Sequence, residues 1–313
     1  MKEKVLVRNE VNKMNKKMML AVMVLSAVVN GVYASGTNNL VGGTDNVATA
    51  NSAAVFGYQN VVNANNALAI GENNTVNGTN SFAGGNNSKA EGRNTFAFGS
   101  HAEALTEYTY AIGSQARTSA YDAIAIGNGA YAGGVSSVVI GRSNAVSGDN
   151  TTVIGANNQN VTAGQSLIMG YNNVTGSEQE QIVVGVNSKT SGQGATVIGT
   201  HGQATGYDTT AIGNNTIADK PNSVALGTNS VTDDAVNQLQ AMVNNTRYVF
   251  AGTDATSVVS VGSKDRAGYG GVKHYVRQIQ NVAAGRVDAS STDAVNGSQL
   301  HAAYDAINTM RTD

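Results

Sequence analysis

The sequence has no cysteine and no tryptophan, a single proline, and few charges: 13% of its 313 residues are Asp, Glu, Lys or Arg. Without cysteine there is no disulfide framework and no thiolate metal site. That absence does not assign the chain to the cytoplasm, because a chain exported unfolded also does well without cross-links. Low charge on its own fits a disordered polar tract. Here, however, 41% of the residues are hydrophobic and they fall in short regular clusters, so a repeat architecture explains the composition better.

The N-terminus carries the compartment signal. Lys16 and Lys17 precede an apolar run from Met18 to Val29, and Val32-Tyr33-Ala34 offers short or small residues where a signal peptidase reads them. Residues 1–34 are therefore read as a signal peptide cleaved after Ala34; the run is too short for a comfortable membrane span. The stretch Met1–Asn15 is long for the basic region of such a peptide, so either Met14 is the true start or the peptide is an extended one. Removing residues 1–34 takes away six basic and two acidic residues, leaving 13 basic and 19 acidic, net −6. That balance is a poor footprint for nucleic acid or an anionic membrane, and no nucleic-acid partner is expected.

The dominant feature is a repeat. Triplets ending in glycine recur at Gly43, Gly57, Gly71, Gly85, Gly99, Gly113, Gly127, Gly141, Gly155, Gly170, Gly185, Gly199, Gly213 and Gly227, at spacings of 14 residues with two of 15. A typical unit, residues 136–141, reads Ser-Ser-Val-Val-Ile-Gly and runs on into Arg-Ser-Asn-Ala-Val-Ser-Gly-Asp-Asn. It predicts one strand up to the glycine, an Asn/Ser turn, a weaker strand such as Asn144–Val146, and a second turn. Glycine supplies positive φ at the corner and asparagine tolerates it. Each unit is then one coil of a parallel β-solenoid, stacked on the next at about 4.8 Å.

Side chains before each glycine set the burial. The position one before glycine is large and apolar in most units (Phe56, Ile70, Phe98, Ile126, Ile140), with Gly42 and Gly84 as exceptions, and the position three before behaves similarly (Leu68, Phe82, Phe96, Ile124). These two share one strand face. The position between them, on the opposite face, is apolar in every unit, as in Ala69, Ala125, Val139 and Ile168. A strand apolar on both faces expects burial on both. One thin coil has one interior, so the second face requires another chain. The Ala and Val of the middle position are read here as the face that would otherwise meet water.

After Gly227 the phase breaks. Thr232–Val243 has a capping residue, acidic residues in the first turn and apolar residues at helical spacing (Val236, Leu239, Val243), and predicts a short helix. Tyr248–Ala251 and Val258–Val261 read as strands. From Leu300, Ala303, Ile307 and Met310 keep the spacing of a coiled-coil start.

At this point a resemblance becomes specific. Residues 277–300, containing Arg277-Gln278-Ile279-Gln280-Asn281-Val282-Ala283-Ala284-Gly285 and Ser291-Thr292-Asp293-Ala294-Val295-Asn296-Gly297-Ser298-Gln299-Leu300, resemble the neck motif of YadA-like trimeric autotransporter adhesins. The Ala-Ile-Gly coils resemble the head of the same family. The resemblance implies an all-β head, a left-handed parallel β-roll of 14-residue coils, trimeric, followed by a neck and the start of a coiled-coil stalk. It divides the chain into a signal peptide (1–34), head repeats (35–230), an insertion with a short helix and final head strands (231–276), the neck (277–300) and the stalk start (301–313). It implies a homotrimer held in part by Ile279, Val282, Val295 and Leu300 of the neck. It also implies a C-terminal β-barrel anchor in the outer membrane; no alternating barrel strands are read up to Asp313, so the expectation is a fragment or a different anchoring. Asn222-Ser223-Val224-Ala225-Leu226-Gly227-Thr228-Asn229-Ser230 is similar to a motif of the family's collagen-binding heads, with Leu226 where the motif has Ile; its simplest reading is one more coil.

Catalytic patterns do not appear. His101, His201, His274 and His301 lack ligand spacing, so no metal is expected. Gly127-Asn128-Gly129 and Gly192-Gln193-Gly194 are repeat corners with no long helix following, hence no dinucleotide site and no cofactor. A solenoid lyase needs acidic residues clustered with Lys or Arg, a hexapeptide acyltransferase a six-residue period, and an ice-binding face a threonine ladder; none is present. The expectation is an exported, non-enzymatic adhesin at the cell surface or secreted, binding extracellular matrix, host cells or other bacteria. The alternative is a non-adhesive structural surface protein.

Overall fold

The computed structural model describes residues 31, 33–268 and 271–310, with backbone only for 265–268 and 271–274. Nearly all of the expected signal peptide lies outside the described residues; its last two residues, Tyr33–Ala34, pair in parallel with Val47–Ala48. The chain forms two compact units, one up to Asn187 and one from Ser188.

In the first unit every coil contributes a long strand and, in most coils, a short one. Val138–Arg142 and Ala145–Val146 are one such pair. Long strands stack in parallel and in phase with the sequence repeat: Val138 lies against Thr152, Val139 against Val153, Ile140 against Ile154 and Gly141 against Gly155. Short strands stack into a second, nine-stranded ladder, in which Tyr131 faces Ala145. Each corner needs a left-handed residue, as at Ser136 and Ser143, both at φ 54°. The repeat glycine has a steric cause as well: a Cβ on Gly141 (φ 113°) would sit 1.9 Å from the carbonyl oxygen of Gly155 in the next coil.

The interior corrects the reading of the two strand faces. Ala69, Ala97, Ala125, Val139 and Val153 are fully buried, and they meet the inward residues of the short strands, Val62, Val76, Ala90, Ala104 and Val146. Ala and Val are therefore the closed face of the coil, and the larger side chains one before glycine point outward. Size decides the matter: a coil of two short strands leaves a gap that two small side chains fill, while Ile or Phe would overpack it. The two 15-residue spacings test this. The long-strand register passes through them unbroken, Val153 against Ile168 and Ile168 against Val183, so the extra residues are taken up elsewhere in the coil. The short-strand ladder is reduced there to isolated bridges at Val161, paired with Val146, and at Val174. The wider coil holds Ile168, first by volume among the fully buried side chains.

The second unit continues the pattern with the long strands Thr196–Thr200, Thr210–Ile212 and Val224–Leu226 and a three-stranded ladder of short ones. The expected helix over 232–243 is not formed. Gln240–Val243 pairs antiparallel with Thr246–Val249 around Asn244 and Asn245, at φ 52° and 64°. Two central residues at positive φ make the tight turn that suits a hairpin, and that turn chemistry overrides the helical spacing. Val236, Leu239 and Val243 stay exposed, so a helix here would have had no packing face to stabilise it. The chain then returns to the solenoid: Val259–Ser260 pairs in parallel with Val224 and Ala225, completing a last coil after the excursion. A second hairpin, Ser263–Gly268 with Gly271–Tyr275, precedes the neck, and helix α1 spans Gly297–Met310. Among the described residues no helix is long and apolar enough to cross a membrane, which leaves strand-built anchors untouched.

Candidate assembly and adhesive surfaces

Within each unit the long strands turn apolar side chains outward in a stripe. In the first unit Phe56, Ile70, Phe98, Ile126, Ile140, Ile154 and Met169 are each between 36% and 50% exposed, one per coil; Ile198 and Leu226 carry the pattern in the second. Apolar groups aligned along stacked coils form a contiguous patch, unlike single exposed apolar residues, and such patches mark interaction surfaces. At Gly84 the stripe is interrupted, and the rings of Phe82 and Phe98 close over the gap; Phe82 also stacks on Phe96 at 4.7 Å between centroids.

The backing of this stripe is rigid for a reason that sequence reading missed. Asparagines three residues after the repeat glycine stand where the weaker strand begins in the unit, which says nothing of their amides, yet Asn46, Asn60, Asn74, Asn144, Asn158 and Asn173 are fully buried. The Asn60 amide donates to the carbonyl oxygens of Gly71 (2.8 Å) and Phe56 (3.2 Å), and its Oδ1 accepts from the backbone N–H (3.0 Å) and amide (2.9 Å) of Asn74. Each amide thus ties its own coil to its neighbours, satisfying corner groups that burial would otherwise leave orphaned. Their fixed phase behind the glycine was the available signal.

The segment 222–230 is built as a coil. Ser223, Ala225 and Ser230 are buried, and the Ser223 hydroxyl accepts from the Val258 N–H at 3.1 Å. Asn222 takes the left-handed corner (φ 58°), Val224 is half-buried, Leu226 belongs to the outer stripe, and Gly227 is at φ 96°. Arg277, at the start of the neck, donates to the Ser230 hydroxyl (2.9 Å) and to the carbonyl oxygens of Thr228 and Val261, with its guanidinium against Gly227. It also helps wall a pocket of about 460 Å³ lined mainly by apolar residues, among them Val231, Val259, Val261 and Tyr275. The described geometry assigns Ser223, Ala225 and Ser230 to coil closure, leaving Asn222, Leu226 and Thr228 as the exposed side chains of that stretch.

The neck is held by polar bonds and by little else. Asn296 Oδ1 accepts from the Gln299 N–H (3.3 Å) while Gln299 Oε1 accepts from the Asn296 N–H (3.2 Å), a reciprocal cap that starts α1. Gln299 also bonds the Gly285 N–H (2.9 Å), and the Asn296 amide donates to the Val282 carbonyl (3.1 Å). Arg286 grips Asp293 through Nε (2.9 Å) and Nη2 (3.2 Å); that guanidinium holds the Asp293 carboxyl below the usual carboxylate range. Of the expected trimer residues, Ile279, Val295 and Leu300 are exposed and Val282 is half-buried; α1 has no buried residue at all. Among the described residues no group of three or more His, Cys, Asp or Glu is placed to hold a metal ion.

Comparison with known proteins matches both regions. The YadA head domain repeat matches residues 63–88, 77–102, 107–130, 132–158, 182–201 and 204–230, and the coiled stalk of trimeric autotransporter adhesins matches 278–312. The autotransporter adhesin BtaE of Brucella suis is 46% identical over 68 residues, which is 22% of this chain and 8% of that protein, so the chain spans a small part of the relative's length. Among solved structures, a C-terminal YadA-like domain from Burkholderia pseudomallei is 37% identical, covering 39% of this chain and 47% of its own, with a TM-score of 0.27. The collagen-binding domain of the Yersinia adhesin YadA is 23% identical over 70% of this chain and 86% of its own, with a TM-score of 0.32. With head repeats and stalk matched in the order that the coils and the capped helix occupy, the chain belongs to the YadA-like trimeric autotransporter adhesins.

Proposed function

We propose that the chain is the head and neck of a non-enzymatic bacterial surface adhesin. It assembles as a homotrimer through the outer apolar stripe and the exposed neck residues, and it meets an extracellular matrix component, a host cell or another bacterium through its polar corners. One observation carries the reading: a coil whose interior is already closed by Ala and Val still turns Ile and Phe outward on coil after coil. Such a surface costs free energy in water and gains when covered by copies of itself. Trimerisation then multiplies weak contacts, since three identical heads bind one surface together. The resemblance of 222–230 to a collagen-binding motif belongs to this proposal only through Asn222, Leu226 and Thr228, the side chains left exposed. An exported chain, cleaved after Ala34 and displayed at the outer membrane, fits the same reading.

Native mass spectrometry of residues 35–313 tests the assembly. A trimer is expected; a soluble monomer with the stripe open overturns it. Binding of that trimer to collagen, fibronectin and epithelial cells tests adhesion. A trimer that binds no host or bacterial surface would leave a structural role.

A further inference from the structure

The corners ahead of the long strands change character along the first unit. From Asn66 to Asn94 they carry amides in register: Asn66 donates to Asn80 at 3.3 Å and Asn80 to Asn94 at 3.2 Å. Beside Asn94 the preceding column holds Arg93, and in the next two coils the two columns hold Glu107, Tyr108, Tyr121 and Asp122. Arg93 Nη2 lies 3.2 Å from Glu107 Oε2 and donates to the Tyr108 hydroxyl at 2.7 Å, with its guanidinium 5.3 Å from the Tyr108 ring centroid. Tyr121 meets Tyr108 edge to face, centroids 5.3 Å apart, and is 48% exposed.

One member of this cluster works against its own backbone. Tyr108 sits at φ 60°, a left-handed corner. The other non-glycine residues described at positive φ are Asn, Asp, Ser, Gln, Glu or His; Tyr108 is the only tyrosine among them. A bulky residue there is strained, and asparagine, which fills the equivalent Asn66, Asn80 and Asn94, would relieve the strain. In a repeat whose coils are interchangeable as scaffold, a residue that costs the fold and orders an exposed cluster points to a ligand.

We infer that Arg93, Glu107, Tyr108, Tyr121 and Asp122 form a binding site for a neutral oligosaccharide, a proposal that rests on the adhesin reading. Tyr121 offers an open aromatic ring for the C–H face of a pyranose. The Asp122 and Glu107 carboxylates accept hydroxyl hydrogens, and Arg93 and the Tyr121 hydroxyl donate. Arg93, already paired with Glu107, holds Tyr108, and Tyr108 backs Tyr121, so little ordering is left to be done on binding. The cluster carries one cation against two carboxylates, which disfavours sialylated or sulfated glycans. An extended peptide cannot add here as a strand, because Tyr110–Ile112 is paired on both sides, with Phe96–Phe98 and with Ile124–Ile126.

The test is a glycan array carrying neutral, sialylated and sulfated oligosaccharides, probed with the trimeric protein of residues 35–313, beside collagen and whole-cell binding. Neutral glycans are expected to bind, with Tyr121→Ala weakening them about tenfold or more. Tyr108→Asn is the sharper variant: it should lose the glycan while its Tm stays equal to or above that of the parent, a combination that misfolding cannot produce. Neutral glycan binding unchanged in both variants overturns the site. So does binding confined to anionic glycans or to peptide. In those cases retained cell binding leaves the adhesin reading intact, whereas a trimer that binds neither cells nor matrix removes that reading itself.

Discussion

The coils and the neck solve the same problem in opposite ways. A coil has little side-chain volume inside, yet it closes that volume completely: Val139, Val153 and Asn144 have no exposure. The neck has Ile279, Val295 and Leu300 in a short stretch and leaves all three exposed. Both regions are apolar, so composition does not separate them. What separates them is whether the backbone path brings a second surface opposite the first. In the solenoid the next strand of the same chain arrives coil after coil; α1 meets the described chain through the polar bonds of Gln299 with Gly285 and buries no residue. The head therefore closes its core with its own chain and leaves an outer stripe exposed, whereas the neck leaves Ile279, Val295 and Leu300 uncovered among the described residues.

The largest expected effect is a break inside a coil. Val139→Asp places a carboxylate where exposure is nil, with small apolar neighbours, and should cost about 4 kcal/mol or more. The head should lose its cooperative melt, read by calorimetry, whether or not the neck is present. A variant that melted normally would mean the interior is wetter than this packing allows.

A smaller loss is expected along the asparagine ladder. Asn60→Ala leaves the Gly71 carbonyl and the Asn74 N–H without their partners, a loss of about 2–3 kcal/mol. The head supplies its own control, because Ala102, Ala116 and Ala130 occupy the same position in coils without the ladder. A thermal melt should show Asn60→Ala well below the parent and Ala116→Ser close to it.

On the head's own stability, Leu300→Asp should cost within about 0.5 kcal/mol, since the side chain is already exposed. Its effect should fall on assembly: native mass spectrometry is expected to show fewer trimers while the head melt is unchanged. A head that unfolds along with the trimer would erase the contrast between the two regions.

How much of this was legible depended on whether a property belongs to one residue or to a juxtaposition. The phase of the glycines gave the register directly, because Gly141 stacks on Gly155 as the period requires. The direction in which Ala and Val point was misread: alternation shows two faces but not which is inside, and only the width of the coil decides. Asn60 and Asn74 stand where the unit's weaker strand begins, which gives no sign of what their amides bond; that these span two coils depends on stacking. Over 232–243 the helical spacing was real, but the Asn244-Asn245 pair just beyond it held the stronger local instruction. The neck was legible through its motif, while the mutual cap of Asn296 and Gln299 could have been seen from their three-residue spacing.

The smallest expected effect, and the one confined most cleanly to the neck, is with pH. Arg286 depresses the Asp293 carboxyl, through its guanidinium first and its backbone N–H second, and the Ser290 hydroxyl and N–H do the same for Asp288. A carboxylate depressed in the folded state stabilises that state at pH above its unfolded value, about 3.9. The contribution is lost as pH falls through the lower folded value. From neutrality to about pH 4 the neck should therefore hold, and it should loosen below that. The coil ladders are neutral amides with no proton to gain. Far-ultraviolet circular dichroism of the helix and the trimer fraction should fall together in that acid window, with the head melt lagging. Asp293→Asn should start lower and be flatter, keeping the share that belongs to Asp288. If the Asn variant showed the parent's full acid response, the Arg286 pair would not be what fastens the neck.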